Sequence, residues 1–402
     1  MRLSRHSTTT ARWPVRSTRR SITLERHGTP LQRQVSTWLR SPRNSRLKAL
    51  PRSRRASSNS SMRCAPNSAQ VDQMSESESA VGHVPSPFER DLREEIELFL
   101  ADEPSLLDQK IMANTVRDLR KAFSLLTQVE GRPKVTIFGS ARTAAHDPLY
   151  EQTVRVASEL AAQGWMVITG AGPGIMEAGM VGAGRDSSIG VSIQLPFENE
   201  ANEIIAGDDK HIGLKYFFTR KFALTKASQA FICMPGGFGT LDELFELLTL
   251  TQTGKGIPVP IVLLDVPGDS YWQQVDDFVR TQMASRGLIS AEDRALYFTT
   301  NDAAAAAREI TGFYSNYHSL RFVGPRLVLR LHTAPSDQDL AVLNEGFSHL
   351  CVEGGIEASS PLAAEVRDDD QLDLPRLVMR FDKRSFGDLR LLIDAINRLV
   401  PK

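Results

Sequence analysis

The chain has few cysteines, and their spacing is uninformative. Cys64, Cys233 and Cys351 are the only three in 402 residues and form no CxxC pair. An odd, sparse set of this kind excludes a disulfide framework and a thiolate metal knuckle, and fits a reducing compartment. The eight histidines form no cluster, so none is assigned to a metal. No apolar run reaches the ~18–20 residues that span a bilayer, so no membrane is expected. A GxxxxGK[ST] loop is absent, which disfavours an NTPase. The one GxG-like turn, residues 170–174, departs from GxGxxG spacing. No acidic residue clearly ends the next strand to hold a ribose, which disfavours NAD.

Acidic residues are missing from one end. The first 70 residues hold 16 of the 48 Lys and Arg but one of the 48 Asp and Glu, leaving 32 basic and 47 acidic residues beyond them. The acidic bulk, residues 74–402, is therefore not expected to bind nucleic acid. Residues 1–73 are rich in Arg, Ser and Thr and lack apolar periodicity. They fit a disordered basic tail, an organelle transit peptide, or upstream sequence translated from a start chosen too early. The last is favoured, with Met74 opening an ordinary polar amino terminus, and the segment is set aside from the fold.

The full chain has a soluble globular composition, 41% hydrophobic and 24% charged. Residues 74–130 show helical periodicity in ERDLREEIELFL and ANTVRDLRKAFSLL. These helices are expected to pack on the core or on a second subunit. From residue 131 to 319, short apolar runs (KVTIFGS, MVITGAGPG, SSIGVSIQLP, QAFICMPGG, PVPIVLLDV) alternate with amphipathic helices. That alternation predicts an α/β domain with a doubly wound, mostly parallel, Rossmann-like sheet. Residues 320–402 predict a small α+β appendix. Alternation in RLVLRL and RLVMRF suggests a half-exposed sheet there, with a dimerisation or regulatory role.

Ligands of open parallel sheets bind beyond the carboxyl ends of the strands. Marked strand ends here are residues 139–142 (GSAR), 170–174 (GAGPG), 194–196 (QLP) and 235–240 (PGGFGT). Two are glycine turns running into helices, where backbone N–H groups and the helix dipole favour an anion. Thr240 and Glu243 also satisfy the capping-box spacing, so Glu243 has a purely structural reading. Arg220 has one too, as a solvated helix charge or an ion pair with an acid such as Asp242.

The combination of GAGPGIMEA, FTRK and PGGFGTLDE resembles the Lonely Guy (LOG) family, whose mark is PGGxGTxxE with an upstream Arg-Lys. The resemblance covers about residues 134–315, and the pattern is met at Pro235, Gly236, Gly237, Gly239, Thr240 and Glu243. It implies a Rossmann-like, usually dimeric, cytosolic and cofactor-independent hydrolase. Such an enzyme splits the N-glycosidic bond of a nucleoside 5′-monophosphate, a cytokinin riboside monophosphate or AMP, into base and ribose 5-phosphate. Arg220 and Glu243 are then the catalytic pair, with Arg220 expected to grip the phosphate in bidentate fashion and to orient phosphate and ribose. Gly139, Ser140, Gly170, Gly172, Gly174, Gly236, Gly237, Gly239 and Thr240 surround phosphate or ribose, and Lys221, Glu203 and Thr249 contact substrate. Glu243, placed in the first helical turn, is expected to be held ionised by the dipole. Gly170, Gly172 and Gly174 have an alternative role as a tight turn, and Thr249 as a threonine bonded to its own backbone. Glu177 fits a helix-dipole residue, and Glu198 a polar loop over the base. Family members were often labelled lysine decarboxylases, but no pyridoxal-phosphate lysine motif is present. Ala171 stands where small members carry a third glycine, and Phe218 where they commonly have His. A second class is a non-catalytic carrier, since LOG-like folds include holders of the molybdenum cofactor. A third is a regulated nucleosidase whose carboxy-terminal domain senses an effector.

Overall fold

The computed structural model describes residues 86–194 and 201–399. The expectations for residues 1–73, for the Met74 start, and for Leu195, Pro196 and Glu198 fall outside them.

Two helices lead in, α1 (Pro87–Ala101) and α2 (Leu106–Gln128), each started by a serine whose hydroxyl accepts a backbone N–H, Ser86 and Ser105. Pro87 adds the fixed φ suited to a first helical position. None of the described side chains of α1 is buried, whereas α2 buries Asp118, Ala122 and Leu125.

A seven-stranded sheet follows. Its strands are β1 (Lys134–Phe138), β2 (Met166–Thr169), β3 (Ser188–Ile193), β4 (His211–Leu214), β5 (Ala230–Cys233), β6 (Ile261–Leu264) and β7 (Phe298–Thr300). All pairs are parallel, in the order β4-β3-β2-β1-β5-β6-β7. Every residue of β1, β2, β5 and β6 is buried. A strand covered on both faces reads as a continuous apolar run, which is why these four are plain in the sequence. β4 is not: His-Ile-Gly-Leu is short, polar and at the sheet edge, with three of its four residues half-buried. One face packs under α2, α5 (Phe217–Ala227), α6 (Phe238–Gln252) and α7 (Tyr271–Phe278), through Leu125, Phe138, Ile168, Leu224, Phe231, Leu244 and Trp272. The other packs under α3 (Pro148–Ala162), α4 (Ile175–Ala183) and α8 (Ala303–Gly312), through Ile137, Val156, Leu160, Ile175, Ile232, Val262 and Ile310.

The strand order decides where a ligand fits. The chain runs outward from β1 to β4, then returns to lay β5 on the other side of β1. The loops after β1 and β5 therefore diverge, opening a crevice at the switch point.

A second sheet, fully antiparallel, has the order β10-β11-β9-β8. Its strands are β8 (Tyr317–Val323), β9 (Arg326–Leu331), β10 (Glu357–Ser359) and β11 (Arg376–Met379), with helices α9 (Asp337–Phe347), α10 (Ala363–Arg367) and α11 (Phe386–Arg398). The expected half-exposed sheet is corrected here. Five of six residues in β9 and all of β11 are buried. Two of the arginines face a carboxylate rather than water: Arg330 Nη2 and Arg376 Nη1 each lie 2.8 Å from Glu365 of α10, whose side chain is fully buried. Asp370 adds a 2.7 Å contact to Arg330. No helix among the described residues is long and apolar enough to cross a membrane.

Candidate active site

A cavity of about 590 Å³ lies at the crevice. It gathers Gly139 and Ser140 from the end of β1, Gly170 from the end of β2, Arg220 from α5, and Gly236, Gly237, Gly239, Thr240 and Glu243 from the β5–α6 turn and helix start. Arg142, Met176 and Phe238 complete much of the wall. Gly172, Gly174, Glu203, Lys221 and Thr249 do not line it.

The floor is packed backbone to backbone. Ser140 O accepts from Ile175 N at 3.0 Å. Gly174 has φ +69°, and a Cβ there would sit 2.5 Å from Ser140 O, so only glycine fits. Gly172 abuts Met176, which would lie 2.6 Å from an added Cβ. These two glycines shape the turn rather than the cavity wall. Gly170 does line the cavity, and an added Cβ would meet Arg220 Nη2 at 2.5 Å. Its bare backbone gives the guanidinium its berth.

Arg220 and Glu243 lie side by side. Nη2 of Arg220 is 3.9 Å from Glu243 Oε1, and the two side chains are 12% and 13% exposed. Arg220 Nε donates to Val191 O of β3 at 3.1 Å. Burial lowers the Arg220 pKa, opposed by Glu243. Burial also pushes the Glu243 carboxyl up to about 7, with Arg220 pulling the other way. Three expectations are corrected here. α6 begins at Phe238 with Gly237 as its cap and no side-chain capping bond, so Thr240 and Glu243 form no capping box. Glu243 sits in the second turn, beyond the reach of the terminal N–H groups, and burial sets the direction of its shift. Asp242 does not pair with Arg220; it pairs with Lys221 at 3.0 Å.

The glycines of the β5–α6 turn differ from one another. A Cβ on Gly236 would collide with the Thr240 side chain, whereas one on Gly237 or Gly239 would meet nothing within 4 Å. Neither has positive φ. No neighbouring atom excludes a side chain at those two positions; Gly237 is the cap of α6, while Gly239, inside the helix, is unfavourable by about 0.5–1 kcal/mol relative to alanine. The open space beside a helix start with no side-chain cap therefore suits a bound group. The first N–H groups of a helix have no partner within it.

Outside the cavity, Lys221 contacts Asp242 and Glu246, the latter at 2.6 Å, and borders a separate hollow of about 830 Å³. Thr249 Oγ1 donates to Phe245 O at 2.7 Å, the backbone-bonded state. Glu203 is exposed, while its neighbour Asn202 ties that loop to Ala171 O and Gly172 O at 2.9 and 3.2 Å. Glu177 stands in the first turn of α4. Cys233 is buried in β5, and burial raises its thiol pKa.

Two supporting residues escape sequence reasoning. Asp118 of α2 accepts from Lys215 N, Tyr216 N and Thr219 Oγ1 at 2.8, 3.2 and 2.8 Å, capping α5 from a distant helix. The available signal is an absence, since α5 has no capping side chain of its own. Tyr271 donates its hydroxyl to Gly236 O at 2.7 Å and pins the glycine turn.

A family model described as possible lysine decarboxylase matches residues 172–310. A probable cytokinin riboside 5′-monophosphate phosphoribohydrolase of Oryza sativa subsp. japonica is 31% identical over 150 residues, 36% of this chain and 68% of that protein. A cytokinin riboside 5′-monophosphate phosphoribohydrolase of Mycobacterium tuberculosis is 30% identical over 133 residues, 31% of this chain and 67% of that protein. Among solved structures, a molybdenum cofactor carrier protein of Chlamydomonas reinhardtii overlaps 45% of this chain and 96% of its own, at 21% identity and a TM-score of 0.33. That overlap is too slight to bear on function.

Proposed function

The chain belongs to the Lonely Guy (LOG) family, and from that premise we propose that it is a phosphoribohydrolase that splits nucleoside 5′-monophosphates into free base and ribose 5-phosphate. The observation that carries the reading is the buried Arg220–Glu243 pair at the floor of a glycine-lined cavity. Hydrolysis breaks the bond from C1′ to the base nitrogen and forms one from C1′ to a water oxygen, through an oxocarbenium-like state. A carboxylate beside C1′ stabilises the developing cation and accepts the proton that water loses. A carboxyl that titrates near pH 7 is poised for that exchange. Arg220, locked on Val191 O, holds the ionised form of Glu243 in place. The phosphate occupies the space beside Gly237 and Gly239, facing the free N–H groups of α6.

A homodimer belongs to the same proposal. Phe217, Phe218 and Phe222 of α5 and Phe238 at the cavity rim are 60%, 55%, 47% and 94% exposed. A second copy would cover that apolar face beside the site. The cytosol is the proposed compartment, on the sparse cysteines. Cytokinin precursors and AMP are both in the proposed substrate class.

The test is product identity. The protein is incubated with AMP, other nucleoside 5′-monophosphates and isopentenyladenosine monophosphate, and the products are separated by chromatography. The reading requires equimolar base and ribose 5-phosphate from at least one of them. No base from any, with a pterin co-purifying, would replace it with the carrier reading.

A further inference from the structure

The cavity contains two guanidinium groups in opposite situations. Arg220 is committed to Val191 O and Glu243. Arg142 lines the same cavity, is exposed, and has no ion-pair partner among the described residues. Its backbone is fixed, because Arg142 N donates to Ser140 Oγ at 3.1 Å. β1 pairs with β5 so that Phe138 lies opposite Cys233. Residues 139–142 therefore leave the sheet alongside residues 235–239. The free cation lines the same cavity as Gly237 and Gly239, beside which there is open space, while Arg220 lies toward β2 and β3.

Charge balance points the same way. A phosphate monoester carries about −1.5 to −2 at neutral pH, and a helix start supplies only about half a positive charge. Arg220 is offset by Glu243. The remaining positive charge in the cavity wall is Arg142.

We propose that Arg142 is the specificity residue that recognises the 5′-phosphate, by a charge-assisted and bidentate contact, and so selects nucleotides over nucleosides. Arg220 is thereby reserved for the reacting end. This rests on the phosphoribohydrolase reading for its substrate class. A planar guanidinium matches phosphate oxygens in a way an ammonium cannot, so lysine is only a partial substitute.

The experiment is isothermal titration of the full chain and of Arg142→Ala and Arg142→Lys with ribose 5-phosphate and with adenosine. Arg142 is exposed, so the variants fold. Losing one charge-assisted contact should weaken ribose 5-phosphate binding by about tenfold or more in the alanine variant, and by less in the lysine variant. Adenosine binding should stay the same. KM for AMP should rise by the same factor, and should become less sensitive to salt. The assignment is overturned if ribose 5-phosphate binding stays within about twofold of wild type, or if adenosine binding falls equally. The two proposals fail separately. Phosphate binding that depends on Arg142 without base release from any nucleotide sinks the enzyme and keeps the assignment. Base release indifferent to Arg142 does the reverse.

Discussion

Replacing Glu243 by glutamine should change how stability depends on pH, apart from any effect on catalysis. In the folded protein the carboxyl titrates near 7, against an ordinary value of 4.5. A carboxyl with a raised folded pKa binds more protons folded than unfolded between those two values. Folding therefore loses stability as pH rises from the unfolded pKa through the folded one, and the loss is complete above it. At 1.36 kcal/mol per pKa unit, the total is about 3 kcal/mol, of which about 2.5 kcal/mol falls between pH 5 and 8. The amide of the variant has nothing to ionise. The stability of Glu243→Gln minus that of wild type should thus rise by about 2.5 kcal/mol from pH 5 to pH 8. Urea unfolding of both proteins at pH 5, 6, 7 and 8 measures it, with matched slopes so that midpoints report free energy. Other titrating groups cancel in the difference. A flat difference would mean that Glu243 ionises as freely folded as unfolded, and that burial does not raise its pKa.

Asp118→Ala removes the external cap of α5, and should lower the stability by about 2 kcal/mol and slow turnover by loosening Arg220; urea midpoints and base-release rates check both. Gly239→Ala should leave stability equal or raise it by up to about 1 kcal/mol while weakening ribose 5-phosphate binding. Gly174→Ala, forced into positive φ against Ser140 O, should lower stability by about 2 kcal/mol or more. Denaturation of both glycine variants, with titration calorimetry of the first, separates the ligand-facing glycine from the structural one. Glu365→Ala should lower stability by about 3–5 kcal/mol, since it leaves Arg330 and Arg376 buried without their shared carboxylate; thermal unfolding measures it.

The sequence is most legible where both faces of an element are buried. β1, β2, β5 and β6 announce themselves as apolar runs, and the turns at 170–174 and 235–240 as glycines before helices. β4, β8 and β10 are harder to see. β4 and β10 are short edge strands, and β8, opening at Tyr317, merges in pattern with the helix before it. The alternation in RLVLRL is real, but its meaning depends on Glu365, a residue far along the chain that turns a wet face into a buried ion pair. In the site, Thr240 and Glu243 have the spacing of a cap. The helix opens at Phe238, ahead of where that spacing implies, because Gly237 can cap it there. Asp118 and Tyr271 act through space, from a lead-in helix and a later helix, and no local pattern marks them.

The most direct test of the account compares initial rates of base release from AMP by wild type and Glu243→Gln, both verified as folded by circular dichroism. If the Glu243 carboxyl manages the proton and the charge at C1′, the variant should be slower by at least about a hundredfold while still binding ribose 5-phosphate. A variant within a few fold of wild type would contradict it, and Glu243 would be no more than a buried carboxyl beside Arg220.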